Sequence, residues 1–229
     1  MFDIFKKKDD RDPFANSPVF RQMMEDTKRE QDEFISKFEK IHPILKHGKD
    51  IAKKVIVNGE EIELPLGSLP VLFDIGLDNL TLIFGIDNNS HYEWLQNKHI
   101  EVAKDKISTN DLVNKSYQNL INKTGGRISI SMMGEKIGML INCEGVESSL
   151  IMVQSIWDNI KSKLNAKEVL FAVPTQDVFI FFDRNSDPDV QLLIENALRV
   201  YNNPTMQKKI SKNIYLKTKE NRFEIYKIH

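Results

Sequence analysis

Short apolar runs that come in pairs around turn residues are the feature of this sequence that most constrains its fold. Residues 55–57 and the alternating segment that ends at 64 flank Asn58-Gly59, which is typical of a two-residue β-hairpin turn. Strands joined by short turns pair antiparallel, so a mainly antiparallel sheet is predicted. Further pairs occupy residues 71–75 and 80–86, 127–133 and 136–142, 169–173 and 178–182, and 214–217 and 222–226.

Amphipathic segments separate several of these pairs and are predicted to form helices. Ser108 and Asp111 match a capping box, in which the side chain at each end of the first turn bonds the backbone of the other. Residues 87–106 fit a short helix or loop followed by an extended segment. The predicted fold is α+β, with helices packed on one face of the sheet. These helices are predicted over residues 109–123, 147–164 and 187–202.

The N-terminal region carries a long predicted helix. Ser17-Pro18 suits its start, and apolar residues at helical spacing continue to Ile41, before Pro43 ends the run. Residues 27–33 are almost wholly polar, so the helix is expected to pack only partly on its own domain. The predicted organisation is a flexible N-terminus over 1–16, the helix over 17–45 and a single α+β domain over 46–229.

Composition limits the classes of function that fit this chain. Its 229 residues carry a formal net charge of −1, so no long-range field draws in nucleic acid or an anionic membrane. Cys143 is the only cysteine and has no partner for an internal disulfide. The N-terminus lacks the apolar region of a signal peptide, and no apolar run is long enough for a transmembrane helix. We expect a cytoplasmic protein that binds neither nucleic acid nor membrane.

Common catalytic and metal-binding motifs are missing from the sequence. Neither of the glycine-rich nucleotide-binding patterns, G-x-x-x-x-G-K-[ST] and G-x-G-x-x-G, occurs, nor does the hydrolase pattern G-x-S-x-G. The five histidines and the single cysteine do not follow the spacing of zinc ligands. We therefore expect no metal and no cofactor.

Cys143 is the one candidate nucleophile with a physical rationale. It follows a predicted strand and precedes a predicted helix, whose positive end would lower the pKa of the thiol. A phosphatase loop needs an arginine six residues further on, where this chain has Ser149. A small, half-buried structural cysteine is the favoured interpretation.

Three other residues are candidate binding residues. Trp94 lies in a polar, irregular segment, where it either lines a recognition surface or anchors that segment to the core. His99 would join a site only if folding brought other titratable side chains to it. Asp177 occupies a turn before a strand that ends at Asp183, so it either forms part of a carboxylate pair or bonds locally within the turn.

The order of elements in the second half resembles a known family. Residues 97–100 precede the helix that begins at 108–112, a hairpin and a helix follow, and the paired strands of 170–180 enclose the turn 174–177. Over roughly residues 70–203 this order resembles the YtpQ-like family of bacterial proteins, whose function is unknown. The resemblance implies a bacterial cytosolic origin and an α+β fold. It supplies no catalytic residues.

Two hypotheses about function follow. The first is a binding or regulatory module that presents a sheet face or the long helix to a protein partner. Apolar clusters at 19–24 and 34–41 make self-association through that helix the simplest version. The alternative is a small hydrolase or transferase-like enzyme whose site is assembled from scattered aspartates, His99 and Cys143. The lack of a concentrated catalytic constellation favours the module.

Overall fold

The fold is α+β, as predicted, with helices and antiparallel sheets. The computed structural model describes residues 17–48, 54–57, 60–88, 92–103, 107–124, 126–143, 145–185, 190–206 and 208–227. The helices are α1 (Pro18–Phe38), α2 (Asn97–Ala103), α3 (Thr109–Thr124), α4 (Gln154–Leu164) and α5 (Val190–Asn202), with 3₁₀ turns at Leu66–Ser68 and Glu147–Met152. The strands are β1 (Ile41–His47), β2 (Lys54–Val57), β3 (Glu60–Glu63), β4 (Leu72–Leu77), β5 (Leu80–Asp87), β6 (Tyr92–Trp94), β7 (Ser129–Met132), β8 (Ile137–Ile141), β9 (Val169–Thr175), β10 (Val178–Asp183), β11 (Ile214–Lys217) and β12 (Phe223–Ile225).

The first sheet is built around strand β5, which is buried at every position but its last. Strand β1 pairs with one edge of β5 along its length, and β4 and β6 share the opposite edge, each antiparallel to β5. The predicted hairpin at residues 55–64 forms a separate two-stranded sheet from β2 and β3. Its predicted turn, Asn58-Gly59, lies outside the described residues.

The second sheet has six strands in the order β12-β11-β9-β10-β8-β7, and every neighbouring pair is antiparallel. Alternate residues of β9 face opposite sides, so Phe171 packs with Trp157 of α4 and Leu170 packs with Leu193 of α5. The prediction that helices cover one face is therefore wrong. Strands β9 and β10 are apolar at almost every position, and burying both of their faces requires cover on both sides.

The N-terminal helix ends at Phe38, and the prediction that it continues to residue 45 is wrong. Residues 41–47 form β1 instead, so the domain boundary predicted between 45 and 46 falls inside a strand. The amide of Asp87 bonds the carbonyl of Lys40, which makes Pro43 one of the residues whose backbone faces away from β5. A proline is tolerated there because its missing N–H would not have joined the ladder.

Two further segments differ from the prediction in detail. The helix predicted over 147–164 is a 3₁₀ turn followed by α4, with Val153 extended between them. In the described part of the segment 87–106, β6 precedes α2, the reverse of the predicted order, and residues 89–91 and 104–106 are outside the described ranges. The predicted start of the last helix at 187 also lies outside the described residues.

The two larger sheets share one hydrophobic core. Leu45 and Leu82 of the first sheet cluster with Trp157, Phe171 and Phe179 on the α4 side of the second sheet. A smaller cluster lies where α1 and α3 cover the other side of the first sheet, around Phe34, Phe84 and Leu112. This second cluster anchors the C-terminal end of α1.

Candidate functional site

Helices α1 and α2 and strand β6 enclose a cleft of about 270 Å³, which we name the α1–α2 cleft. It contains His99, one of the residues singled out from the sequence. The cleft is lined by Glu30, Glu33, Phe34 and Lys37 from α1, by Glu93 from β6, and by Lys98 and His99 from α2.

The geometry of His99 indicates a structural role at this cleft. Its Nδ1 accepts a hydrogen bond from the backbone N–H of Gln96 at 3.2 Å, and its ring stacks on Phe34 with centroids 5.9 Å apart. Burial lowers the pKa of His99, and the nearby Lys98 lowers it further. The imidazole is therefore neutral near pH 7, with its proton on Nε2. It holds α2 against α1.

The charges at the cleft form a small ion-pair network. The Lys37 ammonium lies 2.8 Å from Glu33 Oε1 and 3.9 Å from Glu93 Oε2. The hydrogen bond from Lys37 lowers the pKa of the Glu33 carboxyl, and the same bond raises the pKa of Lys37. Because Glu33 is exposed and Lys37 and Glu93 are only half-buried, the network links α1 to β6 with little net energy.

The other two candidate binding residues lie apart from each other. Trp94 is partly exposed at the end of β6, next to Glu93 of the cleft. Asp177 lies in the β9–β10 turn of the second sheet, where it accepts a hydrogen bond from Thr175 Oγ1 at 2.7 Å. Asp183, at the far end of β10, pairs instead with Lys136 at 3.0 Å. The carboxylate pair considered from the sequence is therefore not formed, and Asp177 bonds locally within its turn.

Cys143 is a fully buried thiol rather than a half-buried one. Burial raises its pKa to about 12, and the neighbouring Glu147 carboxylate acts in the same direction. The backbone N–H of Cys143 donates to Glu147 Oε1 at 3.1 Å. At neutral pH the sulfur stays protonated, which is unsuited to nucleophilic attack.

The N-terminal half of α1 carries exposed apolar side chains that we name the α1 patch: Val19, Met23 and Met24. Their side chains are 69%, 62% and 57% exposed, whereas Phe34 near the other end of the helix is 3% exposed. None of the three packs in a hydrophobic cluster of the described residues. The sequence indicated both apolar ends of this helix, and the structure shows that the C-terminal end is the docked one.

A groove between β7 and α4 was not predicted from the sequence. It is lined by residues from both elements, including Ile130 and Ile156. The available signal is the alternation of apolar residues with serines along 128–132. That alternation predicts only a hairpin strand, because the position of α4 beside it depends on tertiary packing.

Comparisons with family models, with curated proteins and with solved structures found no match to this chain. The resemblance to the YtpQ-like family therefore stays a prediction. Among the residues that the structure describes, no group of three or more His, Cys, Asp or Glu side chains is arranged to hold a metal ion. No helix in the described ranges is both long enough and apolar enough to span a bilayer.

Proposed function

We propose that this protein is a non-catalytic binding module that acts through protein–protein contacts, with a second copy of itself as the partner at α1. The observation that carries the proposal is the α1 patch on a helix whose opposite end is docked. Helix α1 has 21 residues and is about 31 Å long, so its exposed half extends well beyond the cluster around Phe34.

Symmetry and side-chain chemistry support a second copy as the occupant of the α1 patch. A two-fold pairing brings the same exposed apolar side chains of both copies together. Methionine side chains adapt readily to a partner of irregular shape. A single pair of helices buries little area, so we expect a dimer dissociation constant on the order of 10–100 μM.

The alternative of an enzyme receives no support from the candidate residues. Cys143 is buried behind β8, His99 lies on α2 at the α1–α2 cleft, and Asp177 lies in the β9–β10 turn. Each makes local contacts in a different part of the fold. We assign the module to the cytoplasm, because a single buried cysteine suits a reducing compartment.

Light scattering of the full-length chain tests this proposal. We expect a concentration-dependent rise in mass toward a dimer at about 100 μM. We expect the double variant Met23→Ser, Met24→Ser to remain monomeric, because it removes apolar surface from the contact. The control is Leu66→Ser with Leu192→Ser, which removes two exposed leucines elsewhere and is expected to dimerise like the natural chain.

Opposite charges placed in the α1 patch separate a specific pairing from nonspecific aggregation. Met23→Lys and Met23→Glu are each expected to remain monomeric, because a two-fold pairing brings this position of both copies close together, and an equimolar mixture of the two variants is expected to dimerise. A natural chain that stays monomeric at about 100 μM, or a control that dissociates as much as the methionine variant, would contradict the proposal.

A further inference from the structure

Strand β7 is an edge strand of the six-stranded sheet. Ser129 and Ser131 lie opposite Ile141 and Met139 of β8, and the Met133 N–H bonds the Ile137 carbonyl in the same register. In an antiparallel ladder the bonded positions alternate, so the odd-numbered residues of β7 bond to β8. Ile130 and Met132 therefore direct their N–H and C=O groups outward, and no other described strand pairs with them.

A groove of about 360 Å³ runs beside this open edge, between β7 and α4; we name it the β7–α4 groove. Its floor is apolar. Leu140 and Ile156 are buried beneath it, and Ile128 and Ile130 are partly buried against the same core. Strand β7 thus presents outward-facing backbone N–H and C=O groups next to an apolar surface. The floor side chains are Ile128, Ile130, Leu140 and Ile156.

The rim of the groove on α4 carries two polar side chains, Asn159 and Lys163, which lie one turn apart on the same helix face as Ile156. Neither makes a side-chain hydrogen bond or an ion pair with any described residue. Lys163 is the only charged residue among the described residues that line the groove. The site therefore combines an apolar floor, an unpaired amide and one uncompensated positive charge.

We propose that the β7–α4 groove binds an extended peptide segment of another protein, which adds as a strand to β7 and places an acidic side chain beside Lys163. The outward backbone groups of Ile130 and Met132 supply the ladder bonds. Alternate apolar side chains of the peptide fill the groove, since successive side chains of a strand point to opposite faces. This site is separate from the α1 patch and does not depend on self-association there.

Charge complementarity favours an acidic peptide over a second copy at this edge. A symmetric pairing of two β7 strands would bring two Lys163 ammonium groups to one interface. No carboxylate among the described lining residues would face them. An acidic residue in a peptide instead pairs with Lys163 at the rim, where it contributes mainly to specificity and association rate.

The probe is the peptide Thr-Ile-Thr-Ile-Asp-Asp-amide with fluorescein on its N-terminal amine, and its anisotropy is measured with the full chain. We expect binding with a Kd on the order of 10–100 μM. Hydrogen exchange of the Ile130 and Met132 amides is expected to slow when the peptide is present, because strand addition engages those groups. Methylation of the peptide's ladder-facing amide nitrogens is expected to abolish binding without any change in the protein.

Matched charge variants test the role of Lys163. The Lys163→Glu variant is expected to bind the acidic probe about tenfold more weakly than the natural chain does. The same variant is expected to bind a probe in which two lysines replace the aspartates. The control Lys212→Glu makes the same change on an exposed lysine that precedes β11, near the other end of the sheet, and is expected to leave the Kd unchanged.

Any of four results would overturn the inference. The first is no binding of the acidic probe up to about 1 mM. The second is a loss of binding that is equal in the Lys163 and Lys212 variants. The third is binding that N-methylation of the peptide does not change. The fourth is a dimer that persists in the Met23→Ser, Met24→Ser variant with the Ile130 amide protected in the absence of peptide, since that result would assign the edge to a second copy.

Discussion

His42 is a buried polar residue whose environment disfavours its charged form. The residue is only 4% exposed, and its Nδ1 has no hydrogen-bond partner among the residues that the structure describes. Its Nε2 lies 3.8 Å from Asp87 Oδ2, and the same carboxylate oxygen pairs with Lys123 at 2.5 Å. Burial lowers the pKa of His42, Lys123 lowers it further, and Asp87 opposes both. The imidazole is therefore neutral in the folded protein at pH 7.

This lowered pKa makes stability depend on pH. As the pH falls below about 6.5, the unfolded chain takes up a proton on His42 before the folded protein does, so the free energy of unfolding decreases. We expect urea unfolding at pH 7.5 and pH 5.5 to show that the free energy of unfolding decreases less on acidification for His42→Gln than for the natural chain. Some decrease should remain, because burial also lowers the pKa of His99.

The control for that measurement is His47→Gln, which changes an exposed histidine at the end of the same strand. The His47→Gln variant should show the same decrease in the free energy of unfolding on acidification as the natural chain. An unaltered pH dependence in His42→Gln would show that the buried imidazole is not the responsible group.

At the scale of the element, α3 illustrates how local and long-range contacts combine. The Ser108 hydroxyl accepts a bond from the Asp111 N–H at 3.1 Å, and Asp111 Oδ2 accepts one from the Ser108 N–H, also at 3.1 Å. This is the capping box expected from the sequence. Further along, the Asn119 amide donates to the carbonyls of Phe38 and Ile41, at 2.9 and 3.1 Å. The cap sets where α3 begins, and Asn119 ties the helix to the outer edge of β1.

Loss of the cap should destabilise the whole fold through α3. Ser108→Ala leaves the N–H of Asp111 without its side-chain acceptor, and we expect the Tm to fall by about 2–4 °C. The measurement is thermal unfolding followed by circular dichroism. Thr109→Ala, one residue into the helix, serves as the control and should change the Tm little. Equal Tm values for Ser108→Ala and the natural chain would mean that the cap does not stabilise the fold.

At the scale of the whole molecule, the turn between β4 and β5 joins the two larger sheets. Asp78 and Asn79 both have positive φ, 45° and 56°, which suits a two-residue hairpin turn. Asp78 Oδ2 accepts hydrogen bonds from Tyr215 Oη of β11 at 2.7 Å and from Asn213 Nδ2, just before that strand, at 2.5 Å. With the shared hydrophobic core, this polar contact couples the sheets, and we expect them to unfold together.

Tyr215→Phe tests that coupling. It removes one of the donors to the Asp78 carboxylate, and we expect the free energy of unfolding to fall by about 1–2 kcal/mol. Trp94 lies in the first sheet and Trp157 packs on the second, so single-tryptophan variants report each sheet separately in urea. The two transitions should coincide.

Tyr226→Phe is the matched control, because it removes a hydroxyl from a partly buried tyrosine that makes no side-chain hydrogen bond with any described residue. It should leave the stability nearly unchanged. Separate transitions for the two tryptophans would contradict a single cooperative unit.

The features that depend on neighbours along the chain could be predicted from the sequence. The β7–β8, β9–β10 and β11–β12 hairpins were predicted because turn residues and the strands on either side of them lie within a few residues. The cap at Ser108 and the start of α1 at Pro18 were predictable for the same reason. An exposed apolar end of α1 could also be predicted, because the polar centre of this helix is visible in its local sequence.

The features that join distant parts of the chain could not be predicted, because they depend on tertiary packing. Residues 41–47 become a strand because they pair with β5, some forty residues later, and the local pattern favoured a helix. The separation of Asp177 from His99, and the placement of α4 beside β7, follow from how the sheets and helices pack. Local propensity is set by contacts within a few residues, whereas a groove or a strand partner is selected by the burial of apolar surface across the whole molecule.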